Sequence, residues 1–208
     1  MNILVKHDVN ARGLVYWTFT DPDTEKCNTV HVCGERLKNV SYQVNANTQL
    51  INSDGVTVGS YTGTPNGTGS FGLTELTAQE RADLLGNHVV SNTGTNKVVQ
   101  VGERDIAPYV RFAFITDLEN GHVNLYKILR CQCAPYSKDV QQVNESGQAT
   151  VATISLPFTF FNSFSEDVKG KLYEAKDIDP STTAGAAFMN SWLSDADFIG
   201  VETGSSGS

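Results

Sequence analysis

"APYVRFAFITDLENGHVNLYKILRCQC", residues 107–133, carries period-2 apolar patterning on both sides of Asn120-Gly121. Asn-Gly is the preferred two-residue turn between antiparallel strands, because both residues tolerate a left-handed backbone. The stretch therefore reads as a β-hairpin with Asn120 and Gly121 at its tip. In the second arm, alternation places Val123, Leu125, Leu129, Cys131 and Cys133 on one face. A hairpin of this length needs further strands to cover it.

Strand signals recur on either side. "GLVYWTFT" (13–20) and "NTVHVC" (28–33) read as early strands, separated by the turn-forming "DPDTEKC". "KVVQVG" (97–102) is another. "ATVATISLPFTFF" (149–161) puts Ala152, Ile154, Leu156, Phe158 and Phe160 on one face. Pro157 has no N–H to give a ladder, which predicts a sheet edge or a bulge there. Residues 41–69 are polar and rich in Gly, Asn and Thr, and read as a long excursion, with a hairpin turn at Asp54-Gly55 as one option. Such a segment either binds something, orders on assembly or is a surface loop. A second polar excursion covers 134–148.

Two helices punctuate the strands. In "SFGLTELTAQERADLLG" (70–86), Thr77 and Glu80 form a T-x-x-E capping box. Ala82, Leu84 and Leu85 supply an apolar stripe, and Gly86 stops the helix in a left-handed turn. A helix this short is unstable alone in water, so it must pack on a sheet. "STTAGAAFMNSWLSD" (181–195) predicts a C-terminal helix with Phe188 and Trp192 at i, i+4. With seven or eight strands and no βαβ alternation, the fold class is mainly β. It reads as an antiparallel sandwich or barrel with one short helix on the sheet and a second at the C-terminus. One domain over 1–201 and a flexible Gly/Ser tail over 202–208 are expected.

Composition narrows the function. Charged residues are 18%, so Asn, Thr, Ser and Gln must supply much of the polar surface. Twenty-three acids against fifteen bases give a formal charge of −8. Such a balance disfavours nucleic-acid binding, which needs clustered Lys and Arg. Residues 1–17 lack the apolar core and cleavage site of a signal peptide, and no stretch approaches the ~18 apolar residues of a membrane span. A soluble, cytoplasmically made protein is expected.

Chemistry-bearing motifs are missing. Cys27 and Cys33, and Cys131 and Cys133, are spaced C-x5-C and C-x-C, which are not zinc spacings, so buried thiols are expected. His7, His31, His88 and His122 form no ligand pattern. "GTPNGTG" lacks the Lys-Ser/Thr close of a phosphate-binding loop. No nucleophile elbow or paired acid site is visible. No cofactor, metal or catalytic residue is assigned, and an enzyme is not expected.

The order of blocks resembles the major tail proteins of long-tailed, non-contractile bacteriophages. "GSFGLTELTAQERADLLG" (69–86) is similar to that family's strand running into a short helix. Residues 105–160 resemble its central block, where an "APYV" opening leads to a hairpin, a polar loop and a Thr-rich strand. "AAFMNSWLSDADFIG" (186–200) is similar to its Trp-bearing C-terminal helix. The match covers roughly residues 35–200, while "EKCNTVHVC" (25–33) departs from the pattern. The resemblance implies a tail-tube fold whose copies form six-membered rings stacked into a hollow tube. By resemblance its partners are further copies of itself, a tape-measure protein, and tail-terminator and baseplate proteins. DNA would pass through without specific binding, and no membrane is involved. The place would be the virion, after assembly in the host cytoplasm. Thr77, Glu80, Leu84, Gly86, Asn120, Gly121 and Trp192 are then architectural residues. The alternative reading is a β-sandwich binding module that recognises carbohydrate or a receptor.

Overall fold

The computed structural model describes residues 8–46, 48–91, 97–140 and 152–198. In chain order the elements are β1 (Asp8–Asp21), β2 (Lys26–Cys27), β3 (His31–Val32), β4 (Leu37–Asn45), β5 (Thr48–Ser53), β6 (Val56–Thr62) and β7 (Asn66–Leu73). Helix α1 (Ala78–Leu85) precedes β8 (His88–Ser91), β9 (Lys97–Gln100), β10 (Tyr109–Leu118) and β11 (Val123–Cys133). Then come β12 (Ser137–Asp139), β13 (Thr153–Phe160), β14 (Tyr173–Ile178) and α2 (Thr183–Ser194). The protein is mainly β, with one large antiparallel sheet and two helices. The described strands outnumber the seven or eight expected because several are short pairings of two to four residues and because Thr48–Ser53 and Val56–Thr62 form their own hairpin.

The main sheet runs β2-β1-β10-β11-β13-β7-β4, with β3 beside β1, β12 beside β13 and β14 beside β11. It folds over so that β1, β10 and β11 face β4, β7 and β13 across a core of Tyr16, Phe71, Phe112, Phe114, Phe158, Leu156 and their neighbours. That is the sandwich arrangement, with α1 adding Leu84 and Leu85 to the same core. The opposite face of β1, β10 and β11 is buried too. Val15, Trp17, Ala113, Ile115, Val123 and Leu125 pack there beneath Trp192 of α2.

A bulge in β11 decides which side chain goes to which core. Phe112 pairs with Ile128, but Val110 pairs with Cys131, so β11 holds one extra residue. Since side chains alternate with period 2, the insertion reverses the phase of everything beyond it. Val123 and Leu125 therefore enter the α2 core, while Cys131 and Cys133 enter the main core. The single face expected from alternation is corrected: it is two faces.

The hairpin tip is also corrected. Leu118 N–H donates to His122 O at 2.9 Å, which closes a three-residue loop rather than a two-residue turn. The two-residue turn needs positive φ at both positions, and only Gly121 has it (φ +81°). Asn120 instead accepts from His122 N–H through its side chain at 3.1 Å. The two-residue turn with positive φ at both central positions occurs elsewhere, at Asp54 (φ +50°) and Gly55 (φ +79°) between β5 and β6.

The long excursion is shorter than read from sequence. Asn45 pairs with Asn66, so the β4–β7 ladder takes in both ends of the segment, and the part that leaves the sheet carries the β5–β6 hairpin. Residues 41–45 and 66–69 read as loop in the sequence because one strand face, with Ser41, Gln43 and Thr68, is solvated. The inward positions Gly67 and Gly69 lie under the rings of Phe160 and Phe158, leaving no room for a Cβ.

Pro157 does not mark an edge, but an irregularity does lie beside it: the step from Cys133 to Ser137 is four residues against three from Phe158 to Ser155. Its register with β7 is continuous, and its carbonyl accepts from Ala134 N–H at 2.9 Å. Its ring nitrogen faces the same side, where β13 changes partner from β11 to β12. The missing donor falls in a gap of the ladder.

In α1, Thr77 accepts from Glu80 N–H at 3.2 Å, Glu80 accepts from Thr77 N–H at 2.7 Å, and Gly86 closes the helix at φ +71°. Leu84 is buried, whereas Ala82 is only half-buried. Thr77→Ala should cost about 1 kcal/mol, and Leu84→Ala about 2–5 kcal/mol. Equal and negligible shifts in urea midpoint for the two variants would contradict this. In α2, Thr182 caps the helix, and Phe188 stacks on Trp192 with centroids 5.9 Å apart. Among the described residues no helix is long and apolar enough to cross a membrane. The tail 202–208 and part of the second polar excursion, residues 141–148, lie outside the described residues.

Candidate functional site

Sequence reading missed the most charged interior feature. Arg111 on β10 and Lys127 and Arg130 on β11 are all buried, as is Glu25 on the turn between β1 and β2. Glu25 has φ +56°, a backbone that non-glycine residues rarely adopt. Its carboxylate accepts from Arg130 Nη1 at 3.2 Å, from Phe164 N–H at 2.8 Å and from the Ser163 hydroxyl, with Arg111 Nη2 at 3.6 Å. Arg130 is sandwiched between Tyr109 and Phe164, each ring centroid 4.2 Å from its guanidinium carbon. Arg111 Nη1 donates to Ala196 O at 2.7 Å and to Asp197 at 3.0 Å.

Lys127 completes the clasp. Its ammonium donates to Asp195 O and Phe198 O at 2.8 Å and to Ala196 O at 3.3 Å, between the indoles of Trp17 and Trp192. Three cations of one hairpin thus hold three separate segments: the 21–27 turn, the 163–165 turn and the chain after α2. The arrangement is closed to a substrate and acts as a structural clasp. A sequence signal existed: Lys127 sits between Leu125 and Leu129 on a strand position that alternation assigns to the interior.

Burial, followed by repulsion from Arg111, lowers the Lys127 pKa to about 8. Three carbonyls and two indole faces oppose that fall. Below about pH 8 the folded state carries the cost of a buried cation. Between pH 8 and about 10.4 the folded state releases its proton while the unfolded state keeps it, so stability rises with pH. The unfolding free energy, measured against Lys127→Met, should increase across this window by no more than about 3 kcal/mol. A decrease in urea titrations at about pH 7.5 and about pH 10 would contradict the assignment.

A second polar cluster surrounds α1. Arg36 pairs with Glu80, Nη1 lying 2.7 Å from Oε2, so the capping carboxylate also ties α1 to the start of β4. Tyr16 donates to Asp83 at 2.8 Å, and His31 stacks on Tyr16 with centroids 5.0 Å apart. Burial pushes the Cys33 thiol up to about 12 and Cys27 to about 11, and also raises Cys131 and Cys133. Thiols held this high stay protonated at neutral pH and are poor nucleophiles. Among the described residues no group of three or more His, Cys, Asp or Glu could hold a metal ion.

The sequence-selected residues do not converge on one site. Thr77, Glu80, Leu84 and Gly86 belong to α1 beside the main core, Asn120 and Gly121 to a loop tip, and Trp192 to the opposite core. What the structure does present is exposed apolar surface. β5–β6 and β8–β9 each form a two-stranded sheet separate from the main one. Ile51, Val56 and Val58 are exposed on the first, and Val90 and Val98 on the second. Beyond β9, Val101 and Ile106, each 80% exposed, border a groove of about 660 Å³ with Leu85, Ala107, Pro135 and Tyr136. No family model matches the chain, and no curated protein matches it.

Proposed function

We propose that this chain is the structural subunit of a phage tail tube, assembling into rings that stack around a conduit for DNA. The observation that carries the reading is the β5–β6 hairpin. An isolated two-stranded hairpin is marginal in water, yet this one carries three exposed β-branched residues. Such a feature makes sense as an element completed by a neighbouring copy. The order of sequence blocks supports the same reading.

The passage of DNA needs a wall that does not grip phosphate. The solvent face of β4, β7 and β13 presents Ser41, Gln43, Thr68, Ser70, Ser155 and Thr159, and Lys38 at the β4 bulge is the one exposed cation of these three strands. With a net charge of −8, the assembled protein should retain little duplex DNA even at low salt. Negative-stain electron microscopy of the purified chain tests the proposal: rings or tubes are the expected result. A protein that stays monomeric at high concentration, or that binds DNA in a salt-sensitive way, would sink it.

A further inference from the structure

The apolar groove and the β5–β6 hairpin lie at opposite ends of the same strands. Lys138 on β12 pairs with Ile154 on β13, which pairs with Leu73 on β7, which pairs with Leu37 on β4. The groove containing Lys138 is therefore at the Leu37/Leu73 end. The hairpin leaves the sheet after Asn45 and returns at Asn66, the other end of that ladder. Seven residues of strand separate the two levels, about 23 Å at the usual rise.

Each end has what the other lacks. The groove is lined mainly by apolar side chains, and its one lining cation, Lys138, makes no ion pair among the described residues. Arg81 sits over the Tyr136 ring at 5.5 Å, and its buried Nε has no hydrogen-bond partner. Asp105, the one acid lining the groove, is already bonded to Gly102 N–H and the Asn87 amide. The hairpin offers exposed Val56 and Val58, which alternation places on one face, and its single charge is Asp54 at the tip.

We infer that the β5–β6 hairpin of one copy seats in the Leu85–Ile106–Tyr136 groove of the next, with Asp54 against Lys138, the cation that lines it. Because hairpin and groove are different patches, the contact is heterologous, and because they lie at opposite ends of the same strands it extends along them rather than around a ring. It propagates along the strand direction, and so it is the contact that stacks one ring on another. This rests on the tube reading and names its axial interface. The apolar surfaces supply burial, and the charge pair sets register and polarity.

Charge reversal tests it. Asp54→Lys and Lys138→Glu each place like charges together, and the sedimentable fraction should fall by about tenfold or more, leaving unstacked rings. Combining both reversals should restore stacking. Both positions are on the surface, so the melting temperature serves as a control for folding. Stacking of wild-type length by either single variant, or no rescue in the double variant, would overturn the contact while leaving the tube reading standing. Decanoate binding by the monomer, with assembly indifferent to both reversals, would make the groove a small-ligand site and equally overturn it. No assembly by the unmodified chain would overturn the tube reading and this interface with it.

Discussion

Replacing Glu25 with Gln is expected to destabilise the protein by about 3–5 kcal/mol, the cost of leaving buried cations without their counter-charge. Glu25 is the carboxylate against which Arg111 and Arg130 are both set, and its side chain has no solvent exposure. Glutamine preserves the shape and can still accept from Phe164 N–H, so the variant isolates the charge. A change of that size is a large fraction of a domain's usual stability. Urea unfolding at neutral pH checks it. A loss below about 1 kcal/mol, the range of exposed ion pairs, would mean that the cluster is solvated.

The second large effect is on assembly. Replacing Thr48–Thr62 by a short Gly-Ser link should leave a soluble protein with nearly unchanged melting temperature, yet abolish tubes. The ladder explains why the fold survives: Asn45 and Asn66 are direct cross-strand partners, so a short link can join them. β5 and β6 pair with one another in their own two-stranded sheet, so the main sheet loses no strand. Sedimentation and electron microscopy of the shortened chain give the answer. Tubes of ordinary length would show that the hairpin is dispensable and that its exposed valines have another explanation.

Elements governed by local rules were legible in the sequence. The α1 cap depends on Thr77, Glu80 and Gly86 within one turn of their targets, and all three groups meet as spacing predicts. The hydrophobic face of β13 also followed from alternation, because the strand runs from Ile154 to Phe160 without interruption. What was not legible required a partner strand. The extra residue in β11 becomes visible only when Val110 pairs with Cys131, and it reassigns Val123 and Leu125 to a different core. Pro157 is harmless only because β11 and β12 leave a gap beside it.

The clasp was hidden for a similar reason. Glu25 looked like an ordinary turn acid, and nothing nearby in sequence announces partners at Arg111, Arg130 and Ser163. The candidate assembly surfaces were half legible. Polarity pointed to residues 41–69, but the groove is built from α1, the segment after β9 and the segment after β11, which share no local pattern.

The pairing of β1 with β10 sets an order of events during synthesis. Asp8 meets Leu118 and Thr18 meets Val110, so β1 must wait for roughly a hundred more residues to be made. At about 5–20 residues per second that is about 5–20 s. Through that interval Val15 and Trp17 have neither β10 beside them nor α2 above them. Even when β10 and β11 emerge, the face they share with β1 stays bare until Trp192 arrives. Nascent chains are therefore at their most adhesive late in translation, and an interruption between β11 and α2 would strand a nearly finished sheet with one greasy side open.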